Sequence, residues 1–251
     1  MFTVNENRLA FMINMSSFIL RTMRPVVIVM VKAPRPGLVK TRLSPPLQPA
    51  EAASLARCFI EDVVSSALSV SPNVIVAFTP ANERTMMEGF LPSSVGWLEQ
   101  QGHDLGERLI SAIAYAHNLG FGPIIVLGVD SPTLPPSLID EAFHDLSSGP
   151  ADVALGPTAD GGYYLVGVRK PEPLIFQNVI WSSPHTFAQT ARNVRLLKLR
   201  LLTLAQWYDV DTFDDLKCLD NELRSDEDAR VRAPKTWEWL SAHRSIFLPS
   251  D

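Results

Sequence analysis

The sequence predicts an α/β domain around a buried, mostly parallel sheet, and three stretches carry that prediction. Val26–Val31 (VVIVMV) is a continuous β-branched apolar run, the pattern of a strand covered on both faces. Ile124–Leu127 (IIVL) is a second such run, and it passes directly into Gly128, Val129, Asp130, Ser131 and Pro132. Residues 49–70 place Leu55, Phe59, Ile60, Val63, Val64, Ala67 and Leu68 at helical spacing, so an amphipathic helix is expected there with a purely core face.

The chain has 251 residues, 46% hydrophobic and 20% charged, which suits one well-cored domain. Its net charge of -5 argues against a nucleic-acid-binding surface, and small molecules are the expected partners. The two cysteines, Cys58 and Cys218, lack metal-ligand spacing and sit in apolar or helical contexts. Buried free thiols in a reducing, cytoplasmic compartment are expected.

Residues 1–24 contain LAFMINMSSFIL, interrupted by Asn14, Ser16 and Ser17, with no small-residue cleavage site. The run is too short to span a bilayer, so a flexible or amphipathic extension is expected and no transmembrane segment. The ordered domain is expected over 25–225, followed by a charged helix and tail over 226–251.

The first strand leads into KAPRPGLVKTRLSPPL, which sets Lys32, Arg35, Lys40 and Arg42 around Gly37 between stiffening prolines. Basic side chains on such a loop suit a polyphosphate, and Gly37 lets backbone amides approach it. The GxxxxGK[ST] spacing of a P-loop is absent. A second strand is expected over 73–79, a short helix over 82–90 and a third strand over 95–98. QQGHDLGERL then mixes Gly102 and Gly106 with Asp104, Glu107 and Arg108 at the head of a helix. An N-cap accounts for Asp104; a nucleoside contact from Asp104 and Arg108 is the functional alternative.

The central strand ends at Asp130. In open α/β sheets the crevice beyond the strands' carboxyl ends binds ligands, and a carboxylate there suits a hard cation with bound phosphates. Turn capping is the competing account of Asp130 before Ser131 and Pro132. A helix is expected over 137–146 and a strand over 152–155, then GPTADGGYYLVGV forms a hairpin. In it Asp160, Gly161 and Gly162 suit a pocket wall as well as a plain turn. Trp181 with Ser182, Ser183 and His185 suits an acceptor-side wall, against the alternative of a buried Trp and a helix cap. A strand is expected over 196–202. In WYDVDTFDDL, Asp209 and Asp211 alternate along an extended stretch, which offers a partner for Asp130, while Asp214 and Asp215 belong to a first helical turn.

KAPRPGLVKTRL, QGHDLGERL, GVDSP, GPTADGGYYLVG and DVDTFDDL, in this order, resemble the DUF2064 family of glycosyltransferases in the nucleotide-diphospho-sugar transferase superfamily. The likeness spans about 25–221. It implies a three-layer α/β/α sandwich, the Rossmann-like GT-A fold, with a nucleotide at the strand ends. It also implies that the basic loop meets phosphates, that Asp130 meets Mg2+ or Mn2+, and that Asp160 to Gly162 form a donor or acceptor pocket. Typical GT-A enzymes carry an Asp-x-Asp pair; here Ser131 and Pro132 follow Asp130, so either the second ligand comes from elsewhere, with Asp211 the candidate, or the metal is held less tightly. The basic loop is also similar to that of nucleotidyltransferases such as the 2-phospholactate guanylyltransferases.

The expected function is metal-assisted transfer of a sugar from a nucleoside-diphosphate sugar to a small-molecule acceptor, with Asp160 as candidate base. The alternatives are a nucleotidyltransferase that joins a triphosphate to a phosphorylated acceptor and releases pyrophosphate, and a nucleotide-binding protein without catalysis.

Overall fold

The computed structural model of the protein describes residues 24–247. The extension expected over 1–24 therefore lies outside the described residues except for Arg24. Among the described residues seven strands form one sheet in the order β3-β2-β1-β4-β6-β5-β7. Here β1 is Arg24–Lys32, β2 Val74–Thr79, β3 Gly96–Glu99, β4 Phe121–Leu127, β5 Val153–Pro157, β6 Tyr163–Val168 and β7 Leu201–Thr203. The β3-β2-β1-β4 half is parallel; β6 runs antiparallel to both β4 and β5, and β7 is parallel to β5. The mostly parallel α/β sandwich expected from the sequence is the one observed.

Alternation along β1 divides the core. Val27, Val29 and Val31 pack with Ile60, Val63 and Val64 of α1 (Pro49–Val70) and with Ile139 and Phe143 of α4 (Pro136–Ser147). Val26 and Ile28 pack on the other face with Leu109, Ala112 and Ile113 of α3 (Leu105–Asn118) and with Ala191 and Val194 of α5 (Thr186–Leu196). Both faces are thus covered by helices, which is why these strands read as unbroken apolar runs.

Three expectations change in the structure. The short helix over 82–90 splits into a 3-10 turn, Ala81–Glu83, and α2, Arg84–Glu88. The strand expected over 196–202 begins only at Leu201, because Ala191 and Val194 hold a helical stripe that runs to Leu196 and Lys198 turns the chain in a left-handed conformation (φ 58°). Cys218 is exposed: the buried stripe of α6 (Phe213–Ser225) runs through Leu216, Leu219 and Leu223 and leaves it outside, while Cys58 is half-buried.

The described part of the C-terminal region, up to Phe247, packs against the domain. Helices α7 (Glu227–Arg232) and α8 (Pro234–Ala242) build a third core with α1 and α6, in which Phe59, Leu55, Trp239 and Leu240 are buried. Asp62 of α1 caps α8, accepting the Lys235 amide at 3.0 Å and the Thr236 amide at 2.8 Å. Burial pushes its carboxyl up to about 6 against the lowering effect of those amides. No helix among the described residues is long and apolar enough to cross a membrane.

Candidate active site

Strand β1 has β2 on one side and β4 on the other, so the strand order reverses between β1 and β4. Crevices form at such a switch point, beyond the carboxyl ends of the strands. A cleft of about 600 Å³ opens there. Met30, Val129 and the α1 residues Ala56, Phe59 and Ile60 give it an apolar floor. Lys32, Lys40, Arg42, Asp130, Ser182 and Asp211 give it polar walls. The α1 face expected to be core alone therefore also floors the cleft.

The basic loop sends its cations in different directions. Gly37 turns the chain in the left-handed region (φ 75°), and Lys40 follows in the same region (φ 47°, ψ 36°) before the 3-10 turn Thr41–Leu43. That conformation is uncommon for a side-chain-bearing residue and aims Lys40 inward. Its ammonium donates to the Val210 carbonyl at 2.7 Å, bonds Asp211 Oδ1 at 3.2 Å and pairs with Asp130 Oδ1. Burial lowers the Lys40 pKa, but Asp130 and Asp211 outweigh it and the net shift is upward, so the amine is firmly charged. Arg42 is largely exposed at the rim, with Nη1 3.6 Å from Asp211 Oδ2. Arg35 instead pairs with the buried Glu83 carboxylate and does not line the cleft.

The second carboxylate comes from the far end of the chain. The Val210 amide donates to the Asp130 carbonyl at 2.8 Å, fixing the 209–211 segment beside the β4 exit. Asp211 then meets Lys40 and Arg42, whereas Asp209 Oδ1 accepts from Ser131 Oγ at 2.6 Å. Thr212 caps α6, and Asp215 returns to accept the Asp211 and Thr212 amides at 3.1 and 2.7 Å. Beneath, Glu222 accepts from Thr133 at 2.9 Å and from the Tyr208 hydroxyl, which braces both segments. Burial first, and then the neighbouring Asp130, Asp160 and Asp211, push the Asp209 carboxyl up to about 6 despite its bond to Ser131.

This donor set can be tested against a divalent metal. Oxygens of Asp130, Asp211 and the Val210 carbonyl already converge on one cation, the Lys40 ammonium. An all-oxygen, doubly anionic set of that kind matches Mg2+ or Mn2+, so the residues fit the ion. Among the described residues no group of three or more His, Cys, Asp or Glu side chains is arranged to hold a metal. The third protein donor here is a main-chain carbonyl.

The remaining candidates stand around the cleft or outside it. Asp104 caps α3, accepting the Glu107 amide at 2.8 Å, and Arg108 Nε donates to the Gly102 carbonyl at 3.2 Å. Asp160 Oδ1 accepts from Thr158 Oγ1 at 2.6 Å and from the Gly162 amide at 3.0 Å, which closes the hairpin turn. Gly161 adopts φ 89°, and a Cβ there would meet the Pro184 carbonyl oxygen at 2.2 Å. Trp181 lies against Gly106, where a Cβ would come within 2.7 Å of the indole, and its ring centroid is 6.3 Å from that of Phe176. His185 is exposed at the head of α5.

The DUF2064 family, described as an uncharacterized protein conserved in bacteria, matches residues 64–183. No curated protein matches the chain. The crystal structure of a "putative nucleotide-diphospho-sugar transferase" from Desulfovibrio desulfuricans G20 is 30% identical, with a TM-score of 0.82 over 90% of this chain and 97% of its own. The chain belongs to the DUF2064 family. It is a transferase with the nucleotide-diphospho-sugar transferase fold. A cytidylyltransferase from Leptospira borgpetersenii serovar Hardjo-bovis shares that fold at 15% identity and TM-score 0.51, over 91% of this chain and 98% of its own. So does a CMP:2-keto-3-deoxy-manno-octonic acid synthetase complexed with CTP, at 12% identity and TM-score 0.50, over 80% and 99%.

Sequence reasoning missed several residues that shape the cleft of this DUF2064 protein. Gln100 Nε2 donates to the Val31 and Ala77 carbonyls at 3.2 and 2.7 Å, clamping the strand ends under the 100–108 loop. Ser182, by contrast, is among the residues the sequence offers for the acceptor-side wall, and it lines the cleft at positive φ (55°). Ser131 and Glu222 act through hydrogen bonds to residues far along the chain, and no local pattern announces them.

Proposed function

We propose that this transferase moves a sugar from a nucleoside-diphosphate sugar to a hydroxyl of a small-molecule acceptor, with the help of Mg2+ or Mn2+. One observation carries the reading: Asp130 and Asp211, from segments distant in sequence, converge on a single cationic position beside Lys32 and Arg42 at the ends of β1 and β4.

Asp130, Asp211 and the Val210 carbonyl are the residues that would hold the ion. When bound, it offsets the charge of the leaving diphosphate. Lys32 and Arg42, already in the cleft wall, orient the same diphosphate through charge-assisted hydrogen bonds. In the transfer, the bond from the anomeric carbon to the diphosphate oxygen breaks as the acceptor oxygen bonds to that carbon. The acceptor proton passes to a carboxylate, and Asp160 is the residue we assign. Among the described residues both of its protein hydrogen bonds fall on Oδ1, which leaves Oδ2 for the acceptor proton. Gly161, Gly162, Trp181 and His185 form the sugar and acceptor side, Asp104 and Arg108 serve the nucleoside side, and Gly37 serves the phosphates. Arg35 holds the basic loop through Glu83 rather than touching phosphate.

A thermal-shift panel of nucleotide sugars and nucleoside triphosphates, each with and without Mn2+, tests this reading. Mn2+-dependent stabilisation by one nucleotide sugar, followed by release of its nucleoside diphosphate on addition of acceptors, is expected. Stabilisation by a triphosphate alone, with pyrophosphate release, would replace it with nucleotidyl transfer. Binding without turnover would leave a nucleotide-binding protein.

A further inference from the structure

The Lys40 ammonium occupies the place the metal needs. Its three N–H donors are all used, on Asp130 Oδ1, on Asp211 Oδ1 at 3.2 Å and on the Val210 carbonyl at 2.7 Å. Its side chain is only 7% exposed. These three oxygens are the same ones that fit a divalent ion. Two positive centres sharing them would stand in contact, with little water between to screen their repulsion.

We propose that Lys40 is a built-in counter-cation that competes with the divalent ion for Asp130 and Asp211, so that metal binding ejects its ammonium into the cleft. This rests on the metal reading given above. The ejected amine has a destination, because Lys40 already lines the cleft together with Lys32 and Arg42, and four methylenes let the head swing without moving the backbone. In the cleft it faces the space assigned to the diphosphate, whose oxygens replace the carboxylates it has left. Metal alone must therefore displace a well-bound cation and binds weakly. Metal with nucleotide binds more tightly, since the anion receives the displaced ammonium. Linkage requires the converse as well: metal raises affinity for the nucleotide by the same factor. Before any ligand arrives, Lys40 keeps two carboxylates close together that would otherwise repel, so the pair is preorganised.

Two measurements with Mn2+ alone test the proposal. In the first, free Mn2+ is followed by electron paramagnetic resonance during titration of wild type, Lys40→Met and Asp130→Asn. Lys40→Met is expected to bind Mn2+ about tenfold more tightly than wild type, within the usual span of coupling between sites, and Asp130→Asn to lose binding. In the second, wild-type protein is acetylated briefly with and without Mn2+ and Lys40 modification is read by peptide mass spectrometry, which requires no variant to fold. Lys40 modification is expected to rise severalfold with Mn2+. If Asp130→Asn loses Mn2+ while Lys40→Met binds it no better than wild type and Lys40 labelling does not change, this proposal falls and the metal reading stands. If wild type and both variants bind Mn2+ alike, or none binds it, the metal reading falls and takes the proposal with it.

Discussion

Replacing Asp62 by asparagine separates two properties of the cap that joins α1 to α8. The wild-type carboxylate is 1% exposed and accepts two backbone amides, while burial pushes its carboxyl up to about 6. In the unfolded chain an aspartate titrates near 3.9, so the native state holds the extra proton between the two values. The sign follows: this group's contribution is fully present below about pH 4 and is lost as pH rises through about 6. From those two values the contribution is about 2 kcal/mol near pH 4.5 and close to zero near pH 7.5. Asparagine has no such titration. It keeps one oxygen for one amide and leaves the other donor unsatisfied, at about 1–3 kcal/mol independent of pH. Urea unfolding of both proteins at the two pH values gives the difference directly, and the acid response of every other group cancels in it. Wild type is expected to gain about 2 kcal/mol on Asp62→Asn between pH 7.5 and 4.5. A difference that stays constant over that range refutes the argument that burial outweighs the helix cap. The cleft is affected too, because α1 supplies its floor through Ala56, Phe59 and Ile60.

The two loop arginines should separate cleanly in nucleotide titration calorimetry. Arg42→Ala, losing charge-assisted bonds worth about 1.5–3 kcal/mol, raises the Kd about tenfold or more. Arg35→Ala leaves the Kd nearly unchanged and lowers Tm instead, because it strands the buried Glu83. Gly106→Ala sets a methyl 2.7 Å from the Trp181 indole, so the ring must shift; a cost of about 1–3 kcal/mol and a changed Trp emission are expected. Asp211→Asn, assayed for sugar transfer, lowers kcat about 100-fold or more through lost charge stabilisation in the transition state.

The sheet and its long helix were legible because burial on both faces leaves continuous apolar runs such as Val26–Val31, and because α1 opens on Pro49 and closes at Val70, as its periodicity requires. Asp130 was legible for a similar reason: a carboxylate directly after a buried strand has few other places to be. The direction of the basic side chains was not. Arg35 and Arg42 share a loop and a charge, and only the left-handed turns at Gly37 and Lys40 send one toward Glu83 and the other to the cleft. Phe59 and Ile60 read as core because an apolar residue flooring a cleft has the same spacing as one buried under a strand. Asp209 and Asp211 carry the same signal in sequence, yet a serine hydroxyl takes one and an ammonium the other. The strand expected from Leu196 failed because leucines at 196, 197 and 199 suit either period, and the helical contacts of Val194 decided it.

Lys40 and the main-chain oxygen it grips are 170 residues apart. During synthesis the basic loop and the β4 exit emerge long before the 209–211 segment, and until then Lys40 has one carboxylate partner instead of two. Nascent or truncated chains that end before α6 therefore have no complete cleft to offer a nucleotide, however well their strands have formed. A nick in the 197–208 connection would split the site into two pieces, each holding one acidic half of it. Recovery of nucleotide binding on mixing those pieces would report the docking of the C-terminal helices onto α1 as sensitively as any probe of the sheet.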